Sequence, residues 1–407
     1  MSAGGLLGAI RSGEWLTPTR LRDYSIILIG VYLIAIVGLV ATSHGGVDYA
    51  RRPLGSDFSD VWAAGRLALQ GHAAAAYDPA KHYAMQQAAF HRSDIAYYGW
   101  AYPPSFLLLA SGLALSPYLA ALSLWQCATA PIYLATMSAI APGRKTLLLA
   151  TAFPGVFMNL THGQNGFFTV ALLGGGLLLL DRRPLLAGVL FGLLAYKPQF
   201  GLILPLALMA GGRWKAFAAA AACVALTTAI CTLAFGADIW RAFVASLPFT
   251  RIVFLEQGNT GFEKLQSVFG AVRLWGGSVG LAYAVQAVVT GAVAIGVVML
   301  WRSGADARLK AAGLLTACLL ATPYCLDYDL MLLAPAVALI VTVALERGFR
   351  PYEISFLALT FIAPVCTRGV ALATHIPLGL IATLGVFALA LDRAVFTARP
   401  TVARRSA

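Results

Sequence analysis

Residues 24–42 read Tyr-Ser-Ile-Ile-Leu-Ile-Gly-Val-Tyr-Leu-Ile-Ala-Ile-Val-Gly-Leu-Val-Ala-Thr, a run without a single charge. At about 1.5 Å of rise per residue such a helix is about 28 Å long, close to the ~30 Å hydrocarbon thickness of a bilayer. No small-residue cleavage site follows it, so the run reads as an uncleaved first span rather than a secretory leader. Arg11, Arg20 and Arg22 precede it, which predicts an N-terminus on the cytoplasmic side.

The same reading repeats along the chain. Of 407 residues, 59% are hydrophobic and 11% charged, with a mean hydropathy of +0.78, against roughly a quarter charged in soluble domains. Apolar runs near 24–42, 115–140, 145–161, 166–180, 184–196, 198–211, 214–235, 279–300, 308–323, 326–345, 352–368 and 374–391 predict an all-α integral membrane protein. Its architecture is a polytopic bundle of about 11–13 transmembrane helices, with residues 1–407 forming one domain. The net charge of +12 does not point to nucleic acid. Lys and Arg fall in pairs between apolar runs, as at Arg144-Lys145, Arg182-Arg183 and Arg213 with Lys215, which is the positive-inside pattern. Residues 141–144, 181–183, 212–213, 301–307, 346–351 and the tail after Asp392 are then cytoplasmic, as are both termini, and membrane lipids are the surrounding partners. Six scattered cysteines without CxxC spacing read as packing residues rather than disulfide or zinc ligands.

The opposite face receives two long loops, 43–114 and 236–278, and several short polar turns. Within the first loop, 59–70 and 80–91 carry apolar residues at helical spacing, which predicts two amphipathic helices on the membrane surface. Segments 238–247 and 265–274 of the second loop read similarly. Runs such as 184–196 and 198–211 are too short to cross, and short helices leave a cavity at this face.

The polar residues gathered there carry the candidate chemistry. Asp57 follows Gly55-Ser56 and opens the first surface helix; it reads equally as an N-cap and as a hydroxyl-activating base facing a cavity. Tyr102 ends the aromatic stretch Tyr97-Tyr98-Gly99-Trp100-Ala101-Tyr102, ordinary for an interface anchor. His162, Gln164 and Asn165 share a glycine-flanked turn, more hydrogen-bonding groups than a helix end requires. Sugar hydroxyls or a phosphate would use them. Lys197, in the turn Lys197-Pro198-Gln199, interrupts an otherwise uncharged stretch; it is either a snorkelling cation or a clamp for an anionic phosphate. Arg368, in the expected turn 367–369, is a second such cation. Asp327 and Asp329 should face the interior or water, and two residues apart on a helix they are not expected to share a face.

These pieces in this order resemble glycosyltransferase family 87, integral-membrane enzymes of the GT-C class that include bacterial mannosyl- and arabinosyltransferases. The resemblance rests on Gly55-Ser56-Asp57-Phe58, Trp62-Ala63-Ala64-Gly65-Arg66, Ala76-Tyr77-Asp78-Pro79, Tyr102-Pro103-Pro104, Gly163-Gln164-Asn165-Gly166, Tyr196-Lys197-Pro198-Gln199 and Thr322-Pro323. It implies hexosyl or pentosyl transfer, with inversion, from a polyprenyl-phosphate donor to a lipid or glycan acceptor. Asp57 stands where the family carries its catalytic carboxylate, so the resemblance makes it the general base. Lys197, with Arg368 or Arg66, would hold the phosphate, and His162, Gln164, Asn165, Gln199, Asp327 and Tyr102 would contact substrate. Where many relatives carry histidines after the Pro of Thr322-Pro323, this chain has Tyr324-Cys325-Leu326-Asp327-Tyr328. The implied location is a bacterial cytoplasmic membrane, with the active site facing the periplasm.

Topology argues the donor class separately: nucleotide sugars are confined to the cytoplasm, and this site faces away from it. No strand, glycine-rich turn and helix is present to cradle a nucleotide, and no DxD or His cluster calls for a metal or other cofactor. Two rivals stand beside the enzyme. A transporter or flippase of lipid-linked sugars predicts polar residues reaching both faces. A non-catalytic envelope-assembly subunit predicts tolerance of Asp57→Asn.

Overall fold

The computed structural model describes residues 3–397; Arg399, Arg404 and Arg405 of the expected cytoplasmic tail lie outside that range. Helices follow in the order α1 Ala3–Ser12, α2 Pro18–Ala41, α3 Phe58–Leu69, α4 Pro79–Phe90, α5 Pro104–Leu113, α6 Tyr118–Ile140, α7 Arg144–Ala152, α8 Pro154–His162, α9 Gly166–Leu179 and α10 Pro184–Leu193. They continue as α11 Leu204–Ala210, α12 Trp214–Phe235, α13 Asp238–Phe249, α14 Val268–Leu274, α15 Val279–Arg302, α16 Ala307–Leu320, α17 Leu333–Arg347, α18 Glu353–Thr374 and α19 Leu378–Thr397. Among the described residues no strand forms, and the pairing outside helices is three isolated bridges.

Seven of these helices, α17 counted with the 3₁₀ turn before it, are long and apolar enough to cross a membrane. They coincide with seven of the twelve apolar runs; the other five are shorter or broken, for identifiable reasons. The run 145–161 splits at Phe153-Pro154, because the residue before a proline is pushed out of the α region (Phe153 φ −59°, ψ 125°) and Pro154 starts a new helix. Pro198 likewise ends α10 through 3₁₀ turns on either side of Lys197. Arg368 was expected in a turn but lies within α18, since Gly369 alone does not stop a helix held by packing.

The short helices approach closely through small residues. A Cβ on Gly188 would lie 2.4 Å from the Ala216 carbonyl oxygen, and one on Gly192 would lie 2.5 Å from Cys223 Cβ, so α10 and α12 touch backbone to backbone, the small-xxx-small packing of membrane helices. The first loop folds as α3, a 3₁₀ turn Ala73–Tyr77 and α4, within a residue of the expected surface helices. The Asp78 side chain caps α4 by accepting from the Ala80 and Lys81 amides at 3.0 and 3.3 Å, and Pro79 occupies the first turn. The second loop carries α13, a π-helical turn Thr250–Glu256, a 3₁₀ turn Phe262–Lys264 and α14.

At the far end of α16, α17 and α18 from residues 322–329, basic residues are locked in ion pairs. Arg308 bridges Asp306 and Glu346, Arg347 also reaches Asp306, and the buried Arg393 holds Glu353 at 2.5 Å. The N-terminal arm docks there: Trp15 Nε1 donates to Ser355 Oγ at 2.7 Å, and the Tyr352 amide donates to the Arg11 carbonyl at 2.8 Å.

Candidate active site

Asp57 sits where the chain turns from the first loop into α3. Gly55 supplies the left-handed turn (φ +66°), Tyr118 Oη donates to the Leu54 carbonyl at 2.6 Å, and the Asp57 amide donates to the His162 carbonyl at 3.0 Å. These bonds bind the start of α3 to the end of α8. Although Asp57 occupies the N-cap position, its side chain makes no capping hydrogen bond. It accepts instead from Gln164 Nε2 at 2.5 Å, and among the described residues it has no ion-pair partner. The carboxylate is therefore fixed in direction without being neutralised.

It faces a cavity of about 560 Å³. Of the residues expected at the site, Asp57, Tyr102, His162, Gln164, Lys197, Gln199, Asp327 and Arg368 all line it. Asn165 lies one step behind, around a smaller pocket shared with Asp57, Tyr102 and Gln164. Its Nδ2 donates to Tyr102 Oη at 2.7 Å, and its Oδ1 is buried without a partner. His162 Nδ1 lies 2.9 Å from the Met158 carbonyl one turn back, so that nitrogen serves its own helix end. Arg66 does not join the site. It stands nine residues after Asp57, about two and a half helical turns, and so leaves on the other side of α3, with its guanidinium over the Trp62 ring at 5.5 Å.

The two cations expected to hold phosphate arrive already paired. Lys197 Nζ donates to Asp329 Oδ1 at 2.7 Å, both side chains nearly fully buried, with the Phe200 and Tyr328 rings each 5.4 Å from the ammonium. Arg368 donates to Asp327 Oδ2 through Nε at 3.0 Å and Nη2 at 2.6 Å. Asp327 and Asp329 thus both line the cavity, contrary to the helical argument, because residues 327–332 form a 3₁₀ turn rather than an α-helix. Asp329 Oδ2 also accepts from the Leu326 amide at 3.0 Å, so one carboxylate both caps and pairs.

Asp60, three residues after Asp57, was outside the expected site set but lines the cavity. Its Oδ1 is buried without a partner. Burial pushes its pKa well above the usual carboxylate range; nearby Asp57 adds to the rise and Lys197 opposes it. Beneath it, fully buried His82 places Nε2 3.0 Å from the Asp60 carbonyl and Nδ1 3.4 Å from Gln86 Nε2. Both contacts are hydrogen bonds when the ring is neutral with its proton on Nε2, and burial pushes its pKa down to about 4. The i, i+3 spacing of Asp57 and Asp60 was the signal for the second carboxyl. Among the described residues no three His, Cys, Asp or Glu side chains converge as a metal-ligand set.

A carboxylate aimed into a roomy cavity that cationic side chains also line, in an all-helical membrane bundle, suits acid–base chemistry on a hydroxylated substrate. The sequence model of glycosyltransferase family 87 matches residues 100–323, more than half of the chain. The protein belongs to glycosyltransferase family 87. This family 87 member is therefore a multi-pass membrane glycosyltransferase, with a sugar donor and an acceptor as its substrates. Tyr102, Gln164, Asn165 and Lys197 lie inside the matched stretch, whereas Asp57, Asp60, Asp327 and Arg368 lie outside it. No curated protein and no solved structure matches the chain.

Proposed function

We propose that this enzyme transfers a hexosyl or pentosyl group from a polyprenyl-phosphate donor to a hydroxyl of a lipid or glycan acceptor, inverting the anomeric carbon, with Asp57 as general base. The observation that carries the reading is the state of Asp57: oriented by Gln164, free of cap and ion pair, and exposed to a cavity large enough for a sugar and its acceptor. In the step itself, Asp57 takes the acceptor proton as that oxygen bonds to the anomeric carbon. The bond from that carbon to the phosphate oxygen breaks, and its electron pair leaves with the lipid phosphate. Lys197 and Arg368 keep N–H donors beyond those spent on Asp329 and Asp327, and Gln164, Asn165, His162, Gln199 and Tyr102 orient substrate oxygens around them.

A lipid-linked donor is supported by the cavity's edge. Ala35 and Leu39 of α2 and Phe157 of α8 line it, and α2 is largely unburied by the rest of the chain, so an apolar side of the cavity borders a lipid-facing helix. The positive-inside pattern supports an orientation with this face towards the periplasm of a bacterial cytoplasmic membrane, away from nucleotide sugars.

The test uses the purified protein in nanodiscs with radiolabelled polyprenyl-phosphate sugars and a membrane-lipid extract as acceptor source. Asp57→Asn should lower transfer by ~10²–10⁴ while leaving donor binding intact. Transfer by this variant at the wild-type rate removes Asp57 as base; label moving from nucleotide sugars but not from lipid-linked ones removes the donor class.

A further inference from the structure

The cavity wall carries four cations, and three are matched by a carboxylate. Arg52 pairs with Asp48 at 3.0 Å, Lys197 with Asp329 at 2.7 Å and Arg368 with Asp327 at 2.6 Å. The fourth, Lys264, lines the same cavity and has no ion-pair partner among the described residues.

Its backbone is anchored. Lys264 closes the 3₁₀ turn Phe262–Lys264, and its amide donates to the Gly261 carbonyl at 3.1 Å. The next residue, Leu265, bridges to Leu326, the Gln266 amide donates to the Cys325 carbonyl at 2.7 Å, and Ser267 Oγ donates to the Pro323 carbonyl at 2.6 Å. Gln266 Oε1 further accepts from Thr367 Oγ1 at 2.7 Å, one residue before Arg368. The loop is stitched to the segment that supplies the carboxylates Asp327 and Asp329 and to the helix that supplies Arg368, and Lys264 lines the same cavity with its charge unspent.

We propose that Lys264 is the residue that recognises the donor phosphate, and that it acts more strongly on the leaving group than on the intact donor. The inference rests on the polyprenyl-phosphate reading above. A sugar phosphodiester carries one negative charge; when the sugar departs, the lipid phosphate monoester carries up to two. A lone ammonium in a partly enclosed, low-dielectric cavity attracts the second state more than the first, and differential binding of this kind lowers the barrier. Lys197 and Arg368 line the same cavity, but their charge is largely cancelled by Asp329 and Asp327, so they position the phosphate by hydrogen bonding rather than by net charge.

The experiment measures initial rates for wild type, Lys264→Gln and Lys264→Arg in nanodiscs, with donor and acceptor varied separately and polyprenyl phosphate added as product inhibitor. Loss of one charge-assisted contact predicts a donor KM about 10- to 100-fold higher in Lys264→Gln. It also predicts product inhibition weakened by more than that factor, an unchanged acceptor KM, and recovery to within about threefold in Lys264→Arg, where the charge is kept. Thermal unfolding of each variant separates folding from recognition. The proposal is overturned if both variants keep the wild-type donor KM, if both lose it equally, or if the acceptor KM moves instead. A wild-type protein that consumes no polyprenyl-phosphate sugar defeats the donor reading itself, which is a different result.

Discussion

Replacing Lys197 by Met, Asp329 by Asn, and both together forms a thermodynamic cycle on the most enclosed charge pair in the cavity. The side chains are 5% and 3% exposed and 2.7 Å apart. Removing either partner strands the other charge in a nearly fully buried position, which costs about 3–5 kcal/mol. The ceiling comes from neutralisation, since protonating an ordinary carboxylate or deprotonating an ordinary ammonium at pH 7 each costs about 4–5 kcal/mol. The two single variants are not equivalent. A stranded Asp329 keeps the Leu326 amide as donor, whereas a stranded Lys197 keeps the Phe200 and Tyr328 rings, so Asp329→Asn should cost at least as much as Lys197→Met. The double variant removes both charges and leaves an amide that still accepts from Leu326; its cost should fall well below the sum, giving a coupling above about 2 kcal/mol. Reversible unfolding by SDS titration in mixed micelles at pH 7 reads all four proteins. Single-variant costs below about 1 kcal/mol, or additivity within about 0.5 kcal/mol, would refute the account of a desolvated pair.

His82 should make the fold acid-sensitive. Its folded pKa near 4 lies below the ordinary 6.5, so between those values the unfolded chain takes the proton first. Its stabilising contribution is complete above pH 6.5 and is lost as pH falls towards 4, by about 2 kcal/mol at pH 5; His82→Gln should flatten that part of a pH–stability curve, and an unchanged slope would contradict it. Gly65→Ala should separate α3 from α5, because the new Cβ would lie 2.1 Å from the Ala110 carbonyl oxygen, a backbone atom that cannot rotate aside. A loss of about 1–3 kcal/mol and reduced transfer are expected, since α3 begins beside Asp57; wild-type stability would show that the helices slide freely.

The membrane character, the two helices of the first loop and the cavity position of eight of the ten expected site residues were legible because each depends on local pattern: uncharged runs of spanning length, helical spacing between 59 and 91, and polar residues confined to short turns. What was not legible depends on partners distant in sequence. Nothing around Lys197 marks Asp329, 132 residues away, as its counter-ion, so the lysine read either as a snorkelling cation or as an unpaired clamp. Nothing near Lys264 marks it at all; it enters the site only because Leu265, Gln266 and Ser267 are pinned to residues 323–326. Arg66 misled for the opposite reason: its motif follows close behind that of Asp57, but two and a half helical turns put it on the wrong side. The breaks at Pro154 and Pro198 were visible as prolines, yet hydropathy alone counted through the first.

The docking of the N-terminal arm has a consequence in time. Trp15 and Ser355 are separated by 340 positions, and the ribosome adds every residue between them before the second exists. At about 5–20 residues per second, the arm waits roughly 20–70 seconds before its acceptor at the start of α18 exists. A chain halted before Ser355 cannot make this clasp, so its formation follows translation of the start of α18.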